Sequence, residues 1–318
     1  MRTILSGLIV LVVILSLGCS AVKASSGDAG RRDMYGGKAG RYKEFRERKS
    51  ALSKLANWDI GERRTINWDG LERIYYVHIP PGLDPDTPAP LALNFHGGGS
   101  SAREQAWYSG MIRKSSEEGF IAVHPEAVER YGYPRWNGGP HANRLDVDDV
   151  GFVGAMLDAL EAEYNIDASR VFATGISSGG FMSYRLACEM SSRIAAIAPV
   201  AAMIDCDCAP SEPVAVIHFH GTDDQGCPYN GGKGALLNYS FESVDDTIEF
   251  WIENNQCADE YEITYQLGDA TCYTYTSSVG ADVVLCIIDG GGHTWPGVSA
   301  RDAIHGWDTA AMMCPRLI

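Results

Sequence analysis

Positive charge is scarce in this 318-residue sequence. It contains 26 Lys and Arg against 41 Asp and Glu, a formal net charge of -15 at pH 7. Nucleic acids and anionic membrane surfaces attract proteins through clustered Lys and Arg. Neither is therefore an expected partner, and the balance of charge suits a protein that acts on neutral or insoluble substrates.

Long apolar runs are also scarce. The one candidate, at residues 4–17, is short for a membrane span and has the form of a signal peptide. Val22 and Ala24 supply the small-residue positions that favour ordinary cleavage before Ser25. Cys19 is a possible lipid attachment site, but the residues before it match the lipid-attachment motif poorly. We expect a signal peptide over residues 1–24 and a secreted or periplasmic protein, with lipid anchoring at Cys19 as the alternative.

Internal repeats and low-complexity binding segments are absent from the sequence. We expect a linker over residues 25–60 and one catalytic domain over 61–318, an ordinary size for a single core. A hairpin turning at Asp69-Gly70 precedes an alternation of strands and helices, which predicts an α/β fold with a mostly parallel sheet and helices on both faces. The expected strands are at 91–95, 120–124, 171–174, 194–199, 214–219 and 283–288, and the helices include 150–164 and 246–255.

The pentapeptide Gly175-Ile176-Ser177-Ser178-Gly179 carries the strongest chemical signal. It lies between a strand-like run at 170–174 and a helix-like run at 181–187. A serine on such a tight strand-to-helix turn is strained, and the glycines remove side chains that would collide there. A serine-glycine turn that only caps a helix is the alternative. The context favours a nucleophile elbow with Ser177 as nucleophile.

A serine nucleophile also requires an oxyanion hole. The segment His96-Gly97-Gly98-Gly99 follows a strand-like run at 90–95 and resembles the glycine loop that forms half of that hole in esterases and lipases. Glycine lets bare backbone approach a substrate carbonyl. We expect the N–H groups of Gly98 and Ser178 to bind the oxyanion, although a simple glycine-rich turn gives the same pattern.

The nucleophile needs a base and an orienting acid. Asp223 and Asp224 follow the strand at 214–219, and chemistry alone does not separate them. His293 lies in a glycine-rich loop after the strand at 283–288 and competes with seven other histidines. The chain order Ser, Asp, His favours His293, because it is the order of the α/β-hydrolases.

Together these motifs resemble a known family. From about Gly61 onward the chain is similar to secreted α/β-hydrolases of the poly(3-hydroxybutyrate) depolymerase and feruloyl esterase type, which are related to carbohydrate esterase family 1. The resemblance rests on the segments at 96–99, 147–152, 173–180, 220–224 and 290–297.

The resemblance implies a carboxylic-ester hydrolase without a cofactor or metal, with Ser177 as nucleophile, Asp224 rather than Asp223 as acid, and His293 as base. Its expected substrates are feruloyl or acetyl esters of plant polysaccharide, or a short-chain polyhydroxyalkanoate. A peptidase of the same fold and a non-catalytic secreted binding protein are the alternatives. Cys227 departs from the family pattern, which has valine there.

Nine cysteines, eight of them after Cys19, indicate disulfides in an exported chain. The resemblance implies the pairs Cys188–Cys208 and Cys257–Cys272.

Three aromatic residues in loops are candidates for a substrate pocket: Trp295, Trp136 and Tyr229. Packing within the loops is the alternative for each. His218 and His220 alternate on one strand and could form a metal pair, but no third ligand has a suitable context.

Overall fold

The computed structural model describes residues 58–130, 132–139, 146–235 and 239–297. The predicted signal peptide, most of the predicted linker and Cys19 lie outside these residues. The elements, in chain order, are β1 (Glu62–Trp68), β2 (Leu71–His78), β3 (Ala89–Phe95), α1 (Ala102–Ser109), α2 (Met111–Glu118), β4 (Ile121–Pro125), β5 (Glu129–Arg130), β6 (Tyr133–Pro134), α3 (Asp149–Glu163), β7 (Ile166–Ile176), α4 (Ser178–Glu189), β8 (Ala196–Val200), β9 (Ala215–Gly221), β10 (Gly232–Lys233), β11 (Ser240–Phe241), α5 (Val244–Asn254), β12 (Cys257–Leu267), β13 (Ala270–Ser277) and β14 (Val283–Ile288).

A ten-stranded sheet runs through the described part of the chain in the order β1-β2-β4-β3-β7-β8-β9-β14-β13-β12. The strands from β4 to β14 in that order pair in parallel. Antiparallel hairpins, β1–β2 and β12–β13, extend the two edges. The carboxyl ends of β3, β7, β9 and β14 therefore meet along one edge of the sheet, where ligands bind in such folds.

Alternate residues of the central strands pack on opposite faces of the sheet. One face, with Leu93 as an example, forms the main core with α3, α4 and α5. The other face includes Ala92, Phe172 and Ile217, and α1 and α2 contribute Tyr108 and Met111 to it. The predicted α/β architecture with helices on both faces is confirmed.

Local signals place most elements within a few residues of their predicted bounds. Asp69 and Gly70 both have positive φ, 49° and 72°, as the predicted hairpin turn requires. Pattern reading missed α1, α2 and the β12–β13 hairpin. The two helices have only eight residues each and meet at Gly110, whose φ of 66° ends the first helix. The strand β12 does carry an alternation of apolar and polar residues from Tyr261 to Leu267, a strand signal that pattern reading passed over, although most of the strand is exposed.

Two disulfides lie within the described residues. The predicted Cys188–Cys208 bridge is confirmed. The predicted Cys257–Cys272 bridge is wrong, because Cys272 is bonded to Cys286, its direct cross-strand neighbour, at a Cα–Cα distance of 4.0 Å. Cys257 is opposite Ser277 instead and is a free thiol. Strand register, which spacing along the chain does not reveal, decides this pairing.

In the described part of the chain, none of the helices has the length and apolar character needed to cross a membrane.

Candidate active site

Ser177 lies on a strained turn between β7 and α4. Its φ is 53° and its ψ is -120°, a conformation that costs a non-glycine residue free energy and that occurs mainly at functional sites. The turn is fixed from both sides, since the Ser177 N–H donates to the Val200 carbonyl and the Ser177 carbonyl accepts from the Phe181 N–H, each at 2.9 Å. The predicted strand, turn and helix are therefore present.

The glycines of this turn are required by close contact with neighbouring backbone. A Cβ on Gly175 would lie 2.6 Å from the backbone carbonyl oxygen of Phe95, the last residue of β3. A Cβ on Gly179 would clash with the carbonyl oxygen of Phe95 and would lie 2.8 Å from that of His96. The two glycines thus let the nucleophile turn lie directly against the strand that leads into the glycine loop.

The glycine loop after β3 lies beside the amino end of α4. A Cβ on Gly98 would lie 3.8 Å from the Ser178 Cβ and 3.6 Å from the Tyr133 ring. The Gly99 N–H donates to the Pro134 carbonyl at 2.7 Å, whereas among the described residues no carbonyl accepts from the Gly98 N–H. Ser178 is the first residue of α4, so its N–H belongs to the donors that a helix leaves without an intrahelical partner.

Trp136 holds these two donor segments together. Its backbone N–H donates to the Ser178 hydroxyl at 2.9 Å, and its indole N–H donates to the His96 carbonyl at 3.0 Å. Its side chain is buried against Phe95 and His96. Burial leaves little of the ring for a substrate, and its hydrogen bonds favour support of the loop over the predicted substrate contact.

Asp224 and His293 form a hydrogen-bonded pair. The His293 Nδ1–H donates to Asp224, at 2.8 Å from Oδ2 and 3.0 Å from Oδ1. Asp224 follows β9 and His293 follows β14, the neighbouring parallel strand. The Asp224 Oδ1 also accepts from the N–H groups of Gly226 and Cys227, at 2.8 and 2.9 Å. Asp223, in contrast, is exposed.

Electrostatics strengthen this pair. Burial opposes the charge on His293, but the negative charge and the hydrogen bond of Asp224 outweigh it and raise the pKa of the imidazole above its ordinary value. Burial would likewise raise the pKa of Asp224, but the charge of His293 and hydrogen bonds from His220 and His293 hold it well below its usual range. Asp224 is therefore a carboxylate that orients and stabilises a protonated His293.

The other two aromatic candidates, Trp295 and Tyr229, lie in different surroundings from Trp136. Trp295 is buried on the second face of the sheet, and its backbone N–H donates to the Tyr108 hydroxyl at 3.0 Å. Tyr229 is half-buried, packs edge-on against His220 and donates its hydroxyl to Asp245 at 2.8 Å. Substrate contact by either stays a prediction. Tyr133 is the exposed aromatic ring beside the glycine loop, with 36% of its surface accessible.

A buried ion pair between Arg73 and Asp149, which sequence reasoning missed, supports the loop that carries Trp136 and Asn137. Asp148 caps α3 by accepting from the Gly151 N–H. Asp149 instead accepts from Arg73 at 2.6 Å and from the Asn137 N–H at 2.7 Å, and all three residues are buried. The sequence gives little sign of this ion pair: two adjacent aspartates at the start of a helix, and an arginine on a strand far away along the chain.

Metal binding finds no support in the described ranges, where no group of three or more His, Cys, Asp or Glu side chains could hold an ion.

Sequence comparison finds relatives among esterases. The chain is 30% identical over 243 residues to feruloyl esterase B of Piromyces equi, covering 73% of this chain and 44% of that protein. It is also 30% identical to NocK, a protein of Nocardia uniformis subsp. tsuyamanensis assigned as an esterase, covering 72% of both chains. Feruloyl esterase C of Emericella nidulans is 30% identical, over 50% of this chain and 58% of that one. The chain thus spans about half the length of the two feruloyl esterases. No family model matches it.

Solved structures show the same fold. The acetyl xylan esterase of Aspergillus awamori superposes with a TM-score of 0.54 at 14% identity, covering 77% of this chain and 98% of that one. A thermostable esterase superposes with a TM-score of 0.50 at 17% identity, over 79% of this chain and 58% of that one. At these identities the likeness supports the fold alone, whereas the relatives at 30% identity show the family. The chain belongs to the family of α/β-hydrolase carboxylic-ester hydrolases that includes the feruloyl esterases.

Proposed function

We propose that this protein hydrolyses carboxylic esters through a Ser177–His293–Asp224 triad. The observation that carries the proposal is the strained Ser177 turn on the same sheet edge as the hydrogen-bonded Asp224–His293 pair. A non-glycine residue held at positive φ between a strand and a helix, with such a pair after later parallel strands, is the arrangement of a nucleophile elbow and its base.

In the proposed mechanism, His293 accepts the proton of the Ser177 hydroxyl as that oxygen attacks the ester carbonyl. The N–H groups of Gly98 and Ser178 bind the oxyanion that forms, and the partial positive charge at the start of α4 adds to their effect. Asp224 holds the imidazole with Nδ1 protonated, so that Nε2 is free to accept. His293 then protonates the leaving alkoxide. Water activated by His293 cleaves the acyl-enzyme and restores the serine.

The proposed substrates are feruloyl or acetyl esters on plant polysaccharide. Feruloyl esterases among the sequence relatives support this choice. The net charge of -15 disfavours polyanionic substrates. The exposed Tyr133 ring beside the glycine loop could contact an aromatic acyl group. Short-chain polyhydroxyalkanoate is the other ester that the sequence motifs suggest.

We also propose that the protein acts outside the cytosol. Two disulfides support this, because such bonds persist in oxidising compartments. The predicted signal peptide at residues 1–24 is consistent with it.

Hydrolysis of methyl ferulate, acetylated xylan and polyhydroxybutyrate by the purified protein tests the proposal. Ser177→Ala should abolish turnover, because the hydroxyl forms the new bond. Ser183→Ala is the matched control, since its buried hydroxyl on the same helix bonds only to the Gly179 carbonyl in the described structure.

Failure to label Ser177 with a fluorophosphonate, with no hydrolysis of any ester, would favour a non-catalytic binding protein. Cleavage of peptides in preference to esters would favour a peptidase.

A further inference from the structure

A chain of buried polar side chains leads away from Asp224 into the core. The Tyr184 hydroxyl lies 2.7 Å from His218 Nδ1, His218 Nε2 lies 3.0 Å from His220 Nδ1, and His220 Nε2 lies 2.8 Å from the Cys227 carbonyl oxygen. None of the three side chains has more than 1% of its surface exposed. Three polar rings in series inside an apolar core require an explanation, because each would cost free energy without a partner.

The direction of the hydrogen bonds follows from the end of the chain. A carbonyl oxygen only accepts, so His220 Nε2 must carry a hydrogen and donate to Cys227. In a neutral ring, His220 Nδ1 then accepts from His218 Nε2, and His218 Nδ1 accepts from the Tyr184 hydroxyl. Burial and the neighbouring His220 hold the pKa of His218 well below its ordinary value, which keeps that ring neutral. Every donor therefore points toward the loop that contains Asp224.

That loop also binds the carboxylate. The N–H groups of Gly226 and Cys227 donate to Asp224 Oδ1, while the carbonyl of Cys227 is held by His220. The His220 Nε2 atom also lies 3.4 Å from Asp224 Oδ2, the oxygen nearest to His293. The His220 Nε2–H group therefore acts on Asp224 in two ways. It holds the backbone of the loop that carries Asp224, and the positive end of its N–H dipole lies near the carboxylate.

We propose that His220, oriented by His218 and Tyr184, is a positioning residue that fixes Asp224 in the geometry that orients His293. The proposal rests on the triad proposed above. Asp224 and His293 contact the reacting groups or each other, whereas His220 acts only through Asp224. The titratable groups that face His220 are His218, Asp224 and the ring of Tyr229.

His220→Leu removes the donor, and His220→Gln returns a neutral N–H at about the position of Nε2. For His220→Leu we expect kcat on methyl ferulate to fall about ten- to a hundredfold with KM within about twofold, by analogy with the loss on removing a hydrogen-bond partner that orients a metal-ligating side chain. A less firmly held Asp224 stabilises protonated His293 less, so the acid limb of the pH profile should move to lower pH by roughly half a unit. His220→Gln should recover most of kcat and the acid limb.

His124→Leu is the matched control. His124 is another fully buried strand histidine, and neither of its ring nitrogens has a hydrogen-bond partner in the described structure. It should leave kcat and the acid limb unchanged. If His220→Leu does not fold, Tyr184→Phe replaces it as the test, because it removes one hydroxyl and keeps the ring that stacks on Trp251. We then expect a smaller loss of kcat and an acid limb that moves in the same direction.

An unchanged kcat in His220→Leu, a loss of kcat with the wild-type acid limb, or equal losses in His220→Leu and His220→Gln would each overturn the proposal. These outcomes differ from failure of the triad itself. In that case the wild-type protein would show neither ester hydrolysis nor labelling of Ser177 by a fluorophosphonate.

Discussion

Replacing Asp224 by Asn tests the role of the acid with the least change in shape. Asp224 Oδ1 accepts hydrogen bonds from two backbone N–H groups, those of Gly226 and Cys227. In the Asn variant the amide oxygen must take the position of Oδ1, because an amide NH₂ placed there would be a donor facing two other donors. The amide NH₂ then occupies the position of Oδ2, 2.8 Å from His293 Nδ1. Two donors cannot bond to each other, so His293 must move its proton to Nε2 and can no longer accept from Ser177.

The expected loss in kcat/KM is therefore about 10³- to 10⁴-fold, or about 4 to 5.5 kcal/mol of transition-state stabilisation. KM should change little, because Asp224 does not contact the ester. Initial rates on methyl ferulate over a range of concentrations measure both quantities. Circular dichroism and thermal melting check that the variant is folded.

Asp223→Asn is the matched control. Asp223 is exposed, adjacent in sequence, and bonded to Gly291 through its backbone N–H rather than its side chain. We expect it to retain most of the activity. The reasoning would be refuted if Asp224→Asn kept a tenth or more of the wild-type rate, or if Asp223→Asn were the crippling change.

Three further outcomes are expected. His293 must be neutral to act as a base, and Asp224 raises its pKa. Activity should therefore fall on the acid side of the pH–rate profile with a midpoint above the ordinary histidine pKa of about 6.5. A midpoint below that value would contradict the electrostatic coupling between Asp224 and His293. Replacing both Cys272 and Cys286 by Ser removes a disulfide that joins residues 14 positions apart in sequence. The loss of about 2 to 3 kcal/mol of stability should lower Tm by roughly 5 to 10 °C. An unchanged melting curve would mean that the strand pairing holds without the disulfide. Tyr133→Ala should reduce kcat/KM more with methyl ferulate than with an acetyl ester, by about two- to tenfold, because aromatic contact is worth about 0.5 to 1.5 kcal/mol beyond the burial of area; equal losses on both esters would exclude the ring from acyl recognition.

Local chemistry is visible in the sequence where neighbours along the chain define it. The turn at Ser177 requires small flanking residues within five positions, and the hairpin at Asp69-Gly70 requires positive φ at adjacent residues. Central strands are also visible, because burial on both faces gives continuous apolar runs such as Val283–Ile288. The short helices α1 and α2 lack such runs. The edge strand β12 carries an alternation of apolar and polar residues from Tyr261 to Leu267, but most of these apolar side chains are exposed, so the alternation does not mark a buried face.

Relations between distant segments depend on the tertiary structure. The sequence itself determined the type and order of the motifs proposed to be catalytic, because each motif meets a steric or electronic requirement with residues that are neighbours along the chain. Strand register decided that Cys272 is bonded to Cys286 and not to Cys257. Packing decided that Trp136 and Trp295 are buried and that Tyr133 is exposed. It also placed His220 beside Asp224 and Arg73 beside Asp149, pairings that no local propensity encodes because their free energy depends on burial by the whole fold.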